Sequence, residues 1–360
     1  MFREGELDLR LGVRAGRIRS VGIRSTRTAL PPSLTRGRPA DEVARAMPLL
    51  FSICARAQGA AAAGALDAAR GRPFDDAGLA LRNDEVRREA TVELLTRLLL
   101  DWPRVLGAAG NLKALARARQ AAPGQGLAVN REIAREHVYG IEPERWLAEP
   151  TLDALDRWTA ATPTVPAQGL ARLRREADGL GCSDVRPMPE ADVDDIAHML
   201  PALDAAPAFG QSPDWLGRPV ETGALARRAQ HPLVSAFLEC DGNSIAARFV
   251  AQLVDLALLL APGDEVALVR QHSAGDGTGI GLAQTARGLL LHQAQVAADG
   301  RVEQYRVVAP TEWNFHPDGA LPHGLLGRLV ADDDAARREA TLLAQALDPC
   351  VAFTVEVADA

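Results

Sequence analysis

A mainly α fold with small peripheral β-hairpins is the class this sequence predicts, on three observations. Residues 83–103, "NDEVRREATVELLTRLLLDWP", put Val86, Ala90, Leu94, Leu95, Leu98 and Leu99 on one face at helical spacing. Residues 222–239 and 243–261 are helical in pattern and apolar enough to belong at the centre of a core. Strand-like alternation is confined to two short stretches, 7–23 and 287–308, each with a turn signal inside it.

Taken in order, "LDLRLGVRAGRIRSVGI" (7–23) alternates apolar and polar residues about Gly16 and reads as a hairpin. A proline-marked link, "ALPPSLTRGRP", leads to a helix at 40–51. The alanine-rich "SICARAQGAAAAGALDAARG" is then a second helix, with Cys54 at its start. Asn83 reads as the N-cap of the third, with Asp84 and Glu85 in its first turn, and Pro103 ends or kinks it. Helical signals continue to about 121, then near 127–137 and 151–160. "ATPTVPAQG" (161–169) is the best linker candidate, and 181–215 is loop-rich. In the 287–308 hairpin, Asp299-Gly300 is the strongest local turn signal. A last helix starts after "ADDDAARRE" and runs to Cys350. The tail beyond it, with Val351, Phe353, Val355 and Val357, is too apolar to be left in water.

Composition narrows the function classes. The 360 residues are 47% hydrophobic and 24% charged, with a formal charge of −7 spread without long single-sign runs, so nothing calls for nucleic acid or an anionic membrane. No apolar run reaches the ~20 residues of a spanning helix. "MFREGELDLR" carries charges where a signal peptide needs an apolar stretch, which makes the expected location cytoplasmic. The four cysteines, 54, 182, 240 and 350, are too scattered for a zinc site, and a cytoplasmic setting argues against disulfides. "GDGTGIG" (275–281) has no clear strand before it and no long helix after it, so it reads as a flexible or close-packed loop, not a phosphate cradle. Two thiols stand out by position: Cys54 at a helix start, where the dipole favours a thiolate, and Cys350 just past a helix end.

Five segments, in order, resemble motifs of the large subunit of nickel-iron hydrogenases: "RGRPADEVARAMPLLFSICARAQ", "VETGALAR" (220–227), "QTARG" (284–288), "VVAPTEWN" (307–314) and "DPCVAF". In that family two cysteine pairs hold nickel and iron, and the iron also carries CO and two cyanides. Cys54 and Cys350 match the first cysteine of each pair. Ala57 and Phe353 stand at the second positions, so neither bridge can form and hydrogen oxidation is not expected. Arg287 matches the arginine beside the diatomics, and Ala309, Pro310 and Thr311 match the residues that pack around and hydrogen-bond the cyanides.

Among relatives of the large subunit, the pattern is similar to hydrogenase maturation proteins of the HupK/HoxV type. The resemblance implies one large-subunit-like domain over residues 1–360, with a helical bundle core. It also implies a non-catalytic scaffold that holds the Fe(CN)2(CO) unit, with Cys54 and Cys350 as iron ligands and no nickel. An iron already bearing three diatomic ligands asks for few protein donors, where structural zinc asks for four. The implied partners are hydrogenase maturation chaperones and the immature hydrogenase large subunit, with no nucleic acid and no membrane insertion. The alternative is a metal-free large-subunit mimic that docks hydrogenase subunits or maturation factors, its two cysteines inert in a closed core.

Overall fold

The N-terminal alternation forms the expected hairpin in the computed structural model, which describes residues 5–359 except 28, 52, 123, 178, 190–195, 197, 198, 200–202, 204–209, 262 and 264–266. Strands β1 (Leu7–Arg14) and β2 (Arg17–Ser25) pair antiparallel through Ala15 and Gly16, both at positive φ, as a tight primed turn requires. Leu7, Leu9, Leu11 and Ile18 point inward. The apolar tail adds a third strand, β9 (Phe353–Asp359), parallel to β1 with Leu7 opposite Phe353. The two ends of the chain are thereby joined in one sheet of order β2-β1-β9.

Helices α1 (Ala40–Leu50) and α2 (Ala55–Ala69) come after the link. Helix α3 (Asp76–Thr96) starts seven residues before the predicted cap: Asp75 is its N-cap, accepting from the Gly78 N–H. Asn83 instead lies inside the helix, and its Oδ1 accepts from the backbone N–H groups of Leu268 and Val269 at 2.9 Å each. A π-helical turn (Arg97–Asp101) carries α3 into α4 (Trp102–Val105), which ends two residues after Pro103. Helices α5 (Leu112–Gln120), α6 (Gly126–Ala134), α7 (Pro143–Leu147) and α8 (Leu152–Ala161) come next. Helix α9 (Val165–Glu176) begins inside the predicted 161–169 linker, because Pro166 is a helix-starting residue and not a breaker at that position. Much of the loop-rich 181–215 lies outside the described residues; β3 (Arg186–Pro187) pairs in parallel with β4 (Val220–Glu221).

Pro232 splits the 222–239 stretch into α10 (Ala224–Arg228) and α11 (Pro232–Asp241). Helix α12 (Ile245–Leu260) is the centre of the core, buried at every residue but Leu258. A helix buried all round must satisfy its polar groups internally. Arg248 makes two 2.7 Å bonds to Glu221, Gln252 accepts from Trp102 Nε1 at 2.8 Å, and Asp255 receives Arg227 at 2.6 Å and Arg228 at 2.8 Å. Among the described residues no helix is long and apolar enough to cross a membrane.

A four-stranded sheet overturns the mainly α class. Strands β5 (Val269–Gly275), β6 (Thr278–Thr285), β7 (Gly288–Val296) and β8 (Val302–Val308) pair antiparallel in chain order. The 287–308 hairpin is there as expected, but "GDGTGIG" is the β5–β6 turn and the start of a strand, not a loop. Helix accounts for 52% and strand for 19%, a mixed α/β fold. The sheet is not peripheral either, since β6 packs on α2. A Cβ on Gly281 would come within 1.9 Å of the Ala61 carbonyl oxygen, and one on Gly279 within 2.2 Å of that of Ala65. Glycines in β6 and alanines in α2 let the two backbones touch. Because β6 and β7 are buried on both faces, they lack the alternation by which strands are recognised.

Three helices close the chain: α13 (Pro310–Asn314), α14 (Ala320–Leu325) and α15 (Asp333–Leu347). The predicted acidic cap holds, with Asp332 accepting from the Ala335 N–H at 2.8 Å. Helix α15 stops at Leu347, and Asp348 turns the chain with φ 55° toward Cys350.

Candidate functional site

Cys54 is the N-cap residue of α2, but its side chain does not cap the helix. Glu89 on α3 does so, accepting from the Arg56 and Ala57 N–H groups at 2.9 Å each. Burial pushes this carboxyl up to about 6 in spite of the two donors. The Cys54 sulfur accepts from Gln58 Nε2 at 3.6 Å. The thiolate expected from the helix start is not favoured. Burial, reinforced by the nearby Cys350, pushes the Cys54 thiol up to about 12, because desolvation outweighs the Gln58 and Arg287 contributions.

Cys350 is held by charge and hydroxyl. Arg27 Nη1 donates to its sulfur at 2.8 Å and Thr311 Oγ1 at 2.9 Å, while the Cys350 N–H donates back to Thr311 Oγ1 at 3.1 Å. Arg27 lies just past β2 and pairs through Nε with Glu312 at 2.8 Å. Burial lowers the tendency of the guanidinium to stay charged, but Cys350 and Glu312 outweigh it and its pKa is raised. Replacing Thr311 by valine keeps the shape and removes both bonds. The expected loss is about 1–2 kcal/mol of stability in urea denaturation; an unchanged midpoint would show that the hydroxyl is not engaged.

Arg287 sits at the β6–β7 turn, almost fully buried. It donates to Glu93 Oε2 at 2.8 Å and lies 3.4 Å from Asp348, which also meets Arg97 at 2.5 Å. Burial opposes its charge, but Asp348, Glu93 and Cys350 together raise its pKa well above the usual arginine value. Asn314 ties the surrounding loops together. Its Nδ2 donates to the carbonyls of Arg287 (3.3 Å) and Leu347 (3.1 Å), and its Oδ1 accepts from the Thr222 N–H (2.8 Å). Gly288, at φ +129°, admits no Cβ, which would meet the Thr222 side chain at 2.3 Å.

Cys54, Cys350, Arg287, Ala309 and Pro310 all line one cavity of about 900 Å³. It contains two soft sulfur donors and a buried cation. Among the described residues no group of three or more His, Cys, Asp or Glu side chains is placed to hold a metal by itself.

Known proteins resemble this chain in sequence or in fold. The hydrogenase expression/formation protein HoxV of Cupriavidus necator is 30% identical over all of this chain and 98% of its own length. HupK of Azotobacter vinelandii is 34% identical over 99% of both. The chain belongs to the HoxV/HupK family of hydrogenase expression/formation proteins. The model of the nickel-dependent hydrogenase family matches residues 241–356 of this HoxV/HupK-family chain. A chain of the reduced Ni-Fe-Se hydrogenase from Desulfomicrobium baculatum shares its fold, with a TM-score of 0.57 and 16% identity over 94% of this chain and 95% of that one.

Of the residues singled out in the sequence of this HoxV/HupK-family chain, five meet in the cavity. Thr311 is not among its lining and spends its hydroxyl on Cys350. Ala57 is fully buried in α2, and Phe353 packs in β9 against the core. Sequence reasoning missed Arg27, Gln58, Glu89, Glu93, Glu312 and Asp348. Gln58, Glu312 and Asp348 lie inside the motifs quoted above, which was a signal for them, whereas the i, i+4 spacing of Glu89 and Glu93 reads equally well as a solvated helix face.

Proposed function

We propose that this HoxV/HupK-family chain is a non-catalytic scaffold in nickel-iron hydrogenase maturation that holds the Fe(CN)2(CO) unit for transfer to the hydrogenase large subunit. The observation that supports it most is that the two ends of the chain bring one cysteine each to a single cavity beside Arg287. The iron unit is cargo here, and two thiolates satisfy an iron that already carries three diatomics. Arg287 and the Ala309-Pro310 wall would face the cyanides, and Thr311 would act through Cys350. Ala57 and Phe353 leave no bridging sulfur, so no nickel and no hydrogen chemistry are expected. The partners are maturation chaperones that load the unit and the immature large subunit that receives it, in the cytoplasm.

Infrared spectroscopy tests this on protein purified without oxygen from cells expressing the maturation machinery, beside a Cys54→Ser, Cys350→Ser double variant. One CO and two cyanide bands, lost in the variant, are the expected result. A silent spectrum from folded wild-type protein would sink the reading. It would favour the metal-free docking mimic, for which the two donors already bonded to the Cys350 sulfur argue.

A further inference from the structure

Behind Cys54 runs a buried chain of polar groups that the proposed function does not use. His292 on β7 is 0% exposed. Its Nδ1 lies 2.7 Å from the Tyr305 hydroxyl on β8 and its Nε2 lies 2.9 Å from Gln58 Oε1 on α2. Gln58 Nε2 in turn reaches the Cys54 sulfur at 3.6 Å. Burial pushes His292 down to about 3, so the imidazole is neutral and has one donor and one acceptor nitrogen.

Two patterns could satisfy such a chain. In one, the Tyr305 hydroxyl donates to Nδ1, Nε2–H donates to the Gln58 carbonyl oxygen, and the Gln58 amide N–H faces the sulfur. In the other every bond is reversed, the amide oxygen faces the sulfur, and the phenol proton must find another acceptor. Among the described residues, the Tyr305 hydroxyl has no hydrogen-bond partner but His292. A buried hydroxyl proton left without an acceptor costs about 1–3 kcal/mol, which selects the first pattern. An N–H facing sulfur favours electron-rich sulfur, as in a thiolate or a metal ligand, over a free thiol seeking an acceptor.

We infer that Gln58 is a positioning residue for Cys54, and that His292 and Tyr305 lock its amide so that the N–H group faces the sulfur. The purpose of the relay rests on the reading of Cys54 as an iron ligand; its geometry does not. A bound iron unit would feel the lock through the sulfur, since a donor bond drains charge that the sulfur would otherwise pass to iron and CO.

The test has two arms. In the metal-free full chain, 15N NMR of the imidazoles is expected to show His292, assigned by the loss of its signals in His292→Gln, protonated at Nε2 only. Tyr305→Phe keeps the ring and removes the proton donor, so both tautomers should then appear. An Nδ1–H tautomer in the wild type, or no tautomer change in the variant, overturns the relay. In chain loaded with the iron unit, Gln58→Leu should move the CO band to lower wavenumber, and an unmoved band at full iron content overturns the role assigned to Gln58. A silent wild-type spectrum counts against the iron reading alone, and the tautomer still decides the relay.

Discussion

Gly281→Val should destabilise the protein by about 3 kcal/mol or more, measured by urea denaturation. The added Cβ would lie 1.9 Å from the Ala61 carbonyl oxygen and 2.6 Å from the Ala65 nitrogen, both backbone atoms of α2. Backbone cannot rotate away as a side chain can, so the sheet and the helix must separate, opening a layer that close packing otherwise fills. The consequence reaches the site, because α2 carries Cys54 at its N-terminus and Gln58 one turn later. The variant should therefore also lose any bound iron unit. Gly22→Ala is the control: its Cβ meets nothing nearer than 3.8 Å. A loss under about 1 kcal/mol for Gly281→Val would mean that β6 and α2 do not touch as described.

The second large effect is at Asp255, which faces Arg227 and Arg228 from inside the core. Asp255→Asn keeps the volume and leaves two partly buried guanidinium groups, 11% and 16% exposed, without their counter-charge, for an expected loss of about 3 kcal/mol. Burial alone would raise the Asp255 pKa, but the two arginines outweigh it and hold the carboxyl below the ordinary range. A carboxyl depressed in the folded state contributes stability that is present above its unfolded pKa, about 3.9, and is lost as pH falls through the folded value. The wild type should lose this advantage on acidification, and the gap to Asp255→Asn should narrow. Parallel stability curves across that acidic window would contradict the pairing.

Local patterns that repeat along the chain were legible in the sequence. The 83–103 stripe, the two hairpins, the apolar α12 and the acidic cap of α15 all rest on contacts within a few residues, and all are present. Three misreadings share one cause. Asn83, the 161–169 segment and "GDGTGIG" each have a local signal compatible with a cap, a break or a loop. What settled them was packing against elements far away in sequence: β5 for Asn83, the core that receives Leu170 and Leu173 for α9, and α2 for the glycines of β6. The apolar tail announced that it would be covered, but not that β1 would cover it.

The site divides the same way. The chain supplied the candidates through its resemblance to the nickel-iron hydrogenase large subunit, since Cys54, Arg287, Ala309, Pro310, Thr311 and Cys350 sit in segments that match that family's motifs in order. Only the tertiary structure decided what surrounds each of them. Arg27 and Thr311 on one sulfur, Gln58 on the other, and Glu93 and Asp348 on Arg287 come from segments up to 323 residues apart. The state of the thiols was decided there too. A helix start predicts an acidic Cys54, but desolvation depends on everything packed around the sulfur, and that quantity exists only once the chain has folded.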